Sequence, residues 1–427
     1  MFTELLKIGP FNTTQLLSSL FLSIFVLSAT FTPNLIHAEE QRLEFNLWVV
    51  SLWPQARAAG ISRETFDRTL RDLRPNFKIP DLDLPDQKND GARGQAEFTK
   101  PPGEYLNKSY LESLASQGRI FAQKYKNSLE MIEQEYGVDR SIILAIWGRE
   151  TAFGKHKLPY DAIEVLATLA WTGRRKDFFQ NELIEALKMI QSGIPRSEFK
   201  SSWAGAVGLT QFMPSEYFQF ARDIDGDGKK DIFNSIPDAL ASAAAQLRGK
   251  GWIRNLPWGY EVSIPDKLDC SLEGPLQSRL ISSWIKLDFK RADKREWSNS
   301  IINSEAYLMS PGGAYGPSFL VFENFKVLRR YNTSDLYAVF VGHLADRISG
   351  GGDFIRPFLN TATQRNKEIK EIQIMLKNSG YNVDKIDGKI GSNTRMLIGI
   401  YQSQKGLKVD CWPTKELFNQ LQKTASK

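Results

Sequence analysis

From Leu43 to about Arg248 apolar side chains return every three or four residues behind competent capping residues. This long run of helical periodicity constrains the fold more than any other feature, because a chain patterned so cannot be built around a large sheet. One polar, Pro- and Asp-rich passage, "KIPDLDLPDQKNDGARG", interrupts it and reads as a loop. Between Gly251 and Tyr331 the pattern shortens. "GYEVSIP", "AYLMSPGG" and "SFLVFENF" are brief, bounded by Gly and Pro and rich in β-formers, which places a small sheet there. Helix resumes from Ser334 to Ile348, and the polar junction "NTATQRN", residues 360–366, precedes a second periodic segment. The expected class is mainly α (α+β): a helical domain with a small β-sheet insertion, followed by a small three-helix C-terminal domain.

The ends of the chain qualify this. Lys7 precedes an apolar and serine stretch, Leu16 to Phe31, that is shorter than the roughly 20 residues a membrane-spanning helix needs. Residues 1–38 therefore read as a signal peptide cleaved after Ala38, and the mature chain as exported, soluble and without a transmembrane segment. A bacterial lipid anchor needs a cysteine just after the apolar run, whereas the first cysteine is Cys270. The expected division is 1–38 signal peptide, 39–359 main domain, 360–366 linker and 367–427 C-terminal domain.

The net charge of +6 is unevenly spread. Lys367 to Lys427 holds eleven Lys and Arg against six Asp and Glu, which is +5 in 61 residues. A basic tail on an exported protein suits an anionic envelope polymer. It lacks the interleaved stacking aromatics that single-stranded nucleic acid requires, so nucleic acid is not an expected partner. Cys270 and Cys411 permit one bridge in an oxidising compartment, but their spacing alone does not establish it. With His37 leaving in the signal, His156 and His343 are too few for a histidine-rich zinc site.

Six apolar residues, Ile142 to Trp147, lead to Glu150 on a helix that Asp139 caps and that should end near Gly154. Ile143, Ile146 and Glu150 share one face, so the carboxylate continues an apolar stripe. Burial and the negative end of the helix dipole both disfavour its charged form, which is what a general acid at a glycosidic oxygen requires. Residue type and position alone leave open a solvated or paired structural glutamate.

Taken together, "GRETAFG", "SWAGAVGLTQFMPS" and "RRYNTSDLYA" resemble the lytic murein transglycosylase B family over most of residues 42–349. The resemblance implies a lysozyme-like helical catalytic domain. It also implies non-hydrolytic cleavage of the β-1,4 bond between N-acetylmuramic acid and N-acetylglucosamine in peptidoglycan, leaving a 1,6-anhydro sugar. Glu150 matches that family's single catalytic carboxylate. Ser202, Gln211, Tyr331, Asn332 and Tyr337 match residues that line its glycan site, the amides and hydroxyl holding polar sugar groups and the tyrosines offering flat faces. Gly205 and Gly208 would let backbone approach substrate. Phe178 and Leu209 depart from the family pattern, which removes one hydroxyl and one aromatic contact. A hydrolytic muramidase and a non-catalytic wall-binding protein are the alternatives.

"DIDGDGKKDIFN", residues 223–234, resembles an EF-hand loop, with Asp223, Asp225, Asp227 and Asp231 as candidate Ca²⁺ ligands and Asn234 where a bidentate Glu is usual. The reaction itself calls for no cofactor; the cation would be structural. From Glu368 to Leu421, "IDGKIGSNTR" and "YQSQKGLKVD" resemble the small helical peptidoglycan-binding domain. Asp387, Asn393 and Arg395 are expected there as donors and acceptors for glycan or stem peptide, on a module tethered by its linker.

Overall fold

The computed structural model describes residues 33–79, 82, 100–265, 269–359 and 365–425. The expected signal segment up to Thr32, most of the Pro- and Asp-rich loop and residues 360–364 of the expected linker lie outside them. Among the described residues no helix is long and apolar enough to cross a membrane.

The fold is mainly helical, as the periodicity implies. The helix Arg140–Thr151 runs through the middle of the larger core, with Ile143, Leu144, Ile146 and Trp147 fully buried. The helices Lys108–Lys124 and Asp335–Ile348 pack against it. A second helical core forms where Ala162–Thr172 meets Lys176–Gln191, and it is joined by Phe45, Val49 and Phe66 from the first helices of the chain.

The three expected strands form, at Gly259–Ser263, Glu305–Met309 and Ser318–Val321. Two short strands, Arg279–Leu280 and Lys290–Arg291, complete a five-stranded sheet whose neighbours are all antiparallel. Leu308 pairs with Leu320, and the two-residue alternation sends Tyr307, Met309, Phe319 and Val321 into the larger helical core. Ala306, Leu308 and Leu320 face the other way, onto Trp284 and Phe289. Both faces are covered, which is why these strands read as near-continuous apolar runs.

The C-terminal module has its own core of Ile372, Leu376, Ile398, Tyr401 and Leu421 from three helices. It does not hang from a tether. Cys270 and Cys411 are disulfide-bonded. Beside them Arg395 is buried against Glu273, with Nη2 to Oε1 at 2.5 Å and Nε to Oε1 at 3.0 Å. The Ala314 N–H donates to the Asp410 carbonyl at 2.9 Å, and the Tyr315 hydroxyl donates to the Asp410 carboxylate at 2.9 Å. The expectations of an independent tail and of Arg395 as a ligand donor are therefore corrected. A guanidinium fully withdrawn from water must be met by a carboxylate, and that carboxylate belongs to the other domain.

Candidate active site

Asp139 caps the central helix as expected, its carboxylate accepting from the Ser141 N–H. The helix ends at Thr151, three residues before Gly154. Ala152, Phe153 and Gly154 all take left-handed backbone, at φ 48°, 60° and 80°. The early turn lets the Phe153 ring fold back edge-on to Trp147, 5.2 Å between centroids, and beside Phe121 at 5.1 Å. Left-handed backbone costs a non-glycine residue about 1–2 kcal/mol. Burial of a large ring offsets it, since Phe153 is 5 % exposed.

That turn leaves Glu150 half-buried in the last helical turn. Tyr337, in the first turn of Asp335–Ile348, donates its hydroxyl to Glu150 Oε1 at 2.5 Å. Tyr331 donates to the Thr210 carbonyl at 2.5 Å. Burial first, and the neighbouring Glu150 carboxylate second, push both phenols well above their usual range. Each keeps its proton to give as a hydrogen bond. Tyr337 is only 1 % exposed, so it has no face left for a sugar ring and acts on the carboxylate instead. Tyr331 stays half-buried.

The loop from Ser201 to Met213 carries the second expected block. Val207 and Phe212 exchange backbone hydrogen bonds at 2.8 Å, and the Ser202 N–H donates to the Ala206 carbonyl at 3.0 Å. The Thr151 hydroxyl, next to Glu150 in sequence, donates to the Leu209 carbonyl at 2.9 Å and accepts from the Gly154 N–H at 3.1 Å. The loop is thus fastened to the end of the glutamate helix. Ser202, Gln211 and Asn332 are half-buried, each retaining accessible surface. Gln211 sits at φ 58° with Nε2 donating to the Gly208 carbonyl at 3.0 Å, a conformation most residues avoid. The glycines of this loop answer to packing within the protein: a Cβ on Gly205 would come within 2.4 Å of Leu166, and one on Gly208 within 2.7 Å of the Ile232 carbonyl.

Sequence reasoning did not find Arg149, Tyr105, Thr151 or Thr210. The Arg149 guanidinium lies over the rings of Tyr105, Phe340 and Tyr337 at 5.2, 5.1 and 6.0 Å, and donates to the Tyr105 hydroxyl at 2.8 Å. Arg149 and Thr151 carried a signal as the flanks of Glu150, and Thr210 as the neighbour of Gln211 in the second block; Tyr105 carried none. The Glu216 carboxylate also acts on Tyr331, but Lys250 Nζ holds it at 2.6 Å and Gln246 Nε2 at 2.5 Å.

In the acidic loop, Asp223, Asp225, Asp227 and Asp238 each bring a carboxylate oxygen within 4.8 Å of the others. Asp231 is not among them. Its Oδ1 accepts the Phe233 and Asn234 N–H groups, both at 2.9 Å. Asp238 takes the fourth place from the following helix, outside the 12-residue window that the motif covers. Four hard oxygen donors so gathered fit Ca²⁺.

Comparison with known proteins agrees with this architecture. The family described as transglycosylase SLT domain matches residues 44–346, and a peptidoglycan-binding domain family matches residues 365–421. The chain is 28% identical over 276 residues to membrane-bound lytic murein transglycosylase B of Escherichia coli, covering 58% of this chain and 70% of that protein. Among solved structures it resembles SltB3 of Pseudomonas aeruginosa in complex with NAG-anhNAM-pentapeptide, at TM-score 0.80 and 36% identity over 88% of this chain and 99% of that one. The Escherichia coli lytic transglycosylase Slt35 in complex with calcium shares the fold at TM-score 0.55 and 23% identity, over 72% of this chain and 93% of that one.

Proposed function

Since the chain belongs to the SLT-domain lytic transglycosylases, peptidoglycan-cleaving enzymes, and carries a C-terminal peptidoglycan-binding domain, we propose that Glu150 alone serves as acid and then base in a cleavage without water. The observation that carries this is the Tyr337 hydroxyl on Glu150 Oε1, which holds the carboxyl group in one orientation for proton transfer. Glu150 protonates the glycosidic oxygen between N-acetylmuramic acid and N-acetylglucosamine, and the bond from that oxygen to C1 breaks. The resulting carboxylate takes the proton of the muramic C6 hydroxyl as its oxygen attacks C1, closing a 1,6-anhydro ring. The substrate supplies the nucleophile, so no second carboxylate of the two-carboxylate glycosidases is needed. Glu216, held by Lys250, is in keeping with that economy.

Tyr331, Ser202, Gln211 and Asn332 are assigned to the glycan, and the Asp223, Asp225, Asp227 and Asp238 group to a structural Ca²⁺. The first 38 residues are assigned to a signal peptide that delivers the enzyme to the periplasm, residues 39–359 to the catalytic domain and 367–427 to the wall-binding domain. Mass spectrometry of digested peptidoglycan tests the reaction. Anhydro ends, lighter by one water than reducing ends, are expected; reducing muramic ends as the main product would make the enzyme a hydrolase.

A further inference from the structure

Where the C-terminal module meets the catalytic domain they enclose a groove of about 550 Å³, a volume that suits a few residues of peptide. Lys100 and Leu336 line it from one domain, Lys385, Lys389, Asn393 and Trp412 from the other. Trp412 is 2 % exposed, yet its indole Nε1 has no hydrogen-bond partner. A buried N–H left unmet is destabilising, and an acceptor placed in the groove would recover that loss. The 13-residue helix Ser392–Gln404 starts on the same wall, and Gly391 at its N-cap brings no side chain to its first-turn N–H groups. Those groups and the indole are donors only, and a helix N-terminus adds partial positive charge.

Lys385 is exposed and Lys389 half-buried. The acids on the same walls are partly spoken for. Asp387 accepts from the Lys389 N–H at 2.9 Å and from Gln373 Nε2 at 3.3 Å, and Asp335 pairs with Arg329 Nε at 2.8 Å. Asp384 is exposed. Arg395, the module's most conspicuous cation in sequence, is committed to Glu273 and does not enter the balance.

We propose that this groove is a second, composite site that holds the carboxylate-bearing peptide stem of the strand. Trp412 Nε1, the first-turn N–H groups at Ser392 and Asn393, and the ammonium groups of Lys385 and Lys389 are its donors. Neither domain forms it alone, so peptide recognition depends on the docked arrangement. The inference rests on the peptidoglycan reading above and adds which part of the polymer the domain boundary grips.

The test uses the full chain carrying Glu150→Gln, to prevent turnover, and calorimetric titration with two probes: N-acetylglucosaminyl-N-acetylmuramyl-pentapeptide and the same disaccharide without peptide. The peptide is expected to tighten binding by roughly tenfold, and Lys385→Glu with Lys389→Glu to abolish that increment while the peptide-free disaccharide binds as before. Trp412→Phe, shown to be folded by its melting curve, is expected to reduce the increment severalfold. An increment that survives the double lysine variant overturns the site. A double variant that loses the peptide-free disaccharide instead would seat the muramic lactyl carboxylate in the groove, and overturns it too. If neither probe binds the parent, the peptidoglycan reading falls and the groove assignment with it.

Discussion

The Tyr337 hydroxyl donates to Glu150 Oε1 across 2.5 Å, joining two helices that are 187 residues apart in sequence. A carboxyl group held by one oxygen is fixed in its orientation. Glu150→Gln is expected to lower turnover of soluble glycan by at least about 10²-fold, the usual loss on removing a general acid. Tyr337→Phe is expected to lower kcat by roughly tenfold with KM little changed, because it orients the acid and does not grip the substrate. Steady-state kinetics on both variants separates the roles; a Tyr337→Phe enzyme with raised KM and normal kcat would return the tyrosine to the sugar site.

Arg395 and Glu273 are each about 2 % exposed. Arg395→Met strands a buried carboxylate and is expected to destabilise the protein by about 3–5 kcal/mol, while Arg395→Met combined with Glu273→Leu recovers most of that loss. Urea denaturation of the single and double variants measures the difference.

The Cys270–Cys411 bond spans 141 residues of sequence. Restricting so long a loop in the unfolded chain is worth up to about 5 kcal/mol on a chain-entropy argument. Cys270→Ser with Cys411→Ser should lower the melting temperature by several degrees, and added dithiothreitol should lower the parent's melting temperature without affecting the double variant. Equal melting curves for parent and variant would show that the buried ionic pair and backbone contacts suffice.

His343 is 6 % exposed and stacked on Phe354 at 3.7 Å, with Asp353 Oδ1 3.9 Å from Nε2. Burial first, then the Arg347 charge, lower its pKa from the usual 6.5 to about 4, against the pull of Asp353. The folded state therefore binds fewer protons than the unfolded chain between those values. The contribution is full above pH 6.5 and is lost as pH falls towards 4, amounting to about 3 kcal/mol. His343→Gln should flatten this part of the acid limb. The check is the difference in unfolding free energy between variant and parent at pH 7 and at pH 4.5.

Millimolar Ca²⁺ is expected to raise the melting temperature, since a ligand of the folded state stabilises it by mass action. Asp238→Asn should remove most of that rise and Asp231→Asn little of it. The reverse order in differential scanning fluorimetry would restore the simple EF-hand spacing.

The helical class and the three main strands were legible in the sequence because each has a local cause. Periodicity declares a helix face and short β-rich runs declare a buried strand, whereas Glu150, on an apolar stripe, was singled out only by the three-block resemblance. What escaped was set by contacts between distant segments. Asp238 joins the acidic group from a different element, Tyr337 matches a glycan-lining position yet is buried on Glu150, and Arg395 looks like a surface cation in a polar turn. Gly154 is left-handed as expected, but the helix already stops at Thr151 because Phe153 is drawn back onto Trp147, a tertiary contact that no capping rule contains.

Because a covalent bond and a buried ion pair lock the wall-binding module in place, the separation between its surface and Glu150 is a constant of the molecule. On the proposed reaction the enzyme would then act as a gauge. Cut positions along a gripped strand should recur at one set interval, decided by the shape of the rigid body, and lengthening the 360–366 segment would leave that interval unaltered.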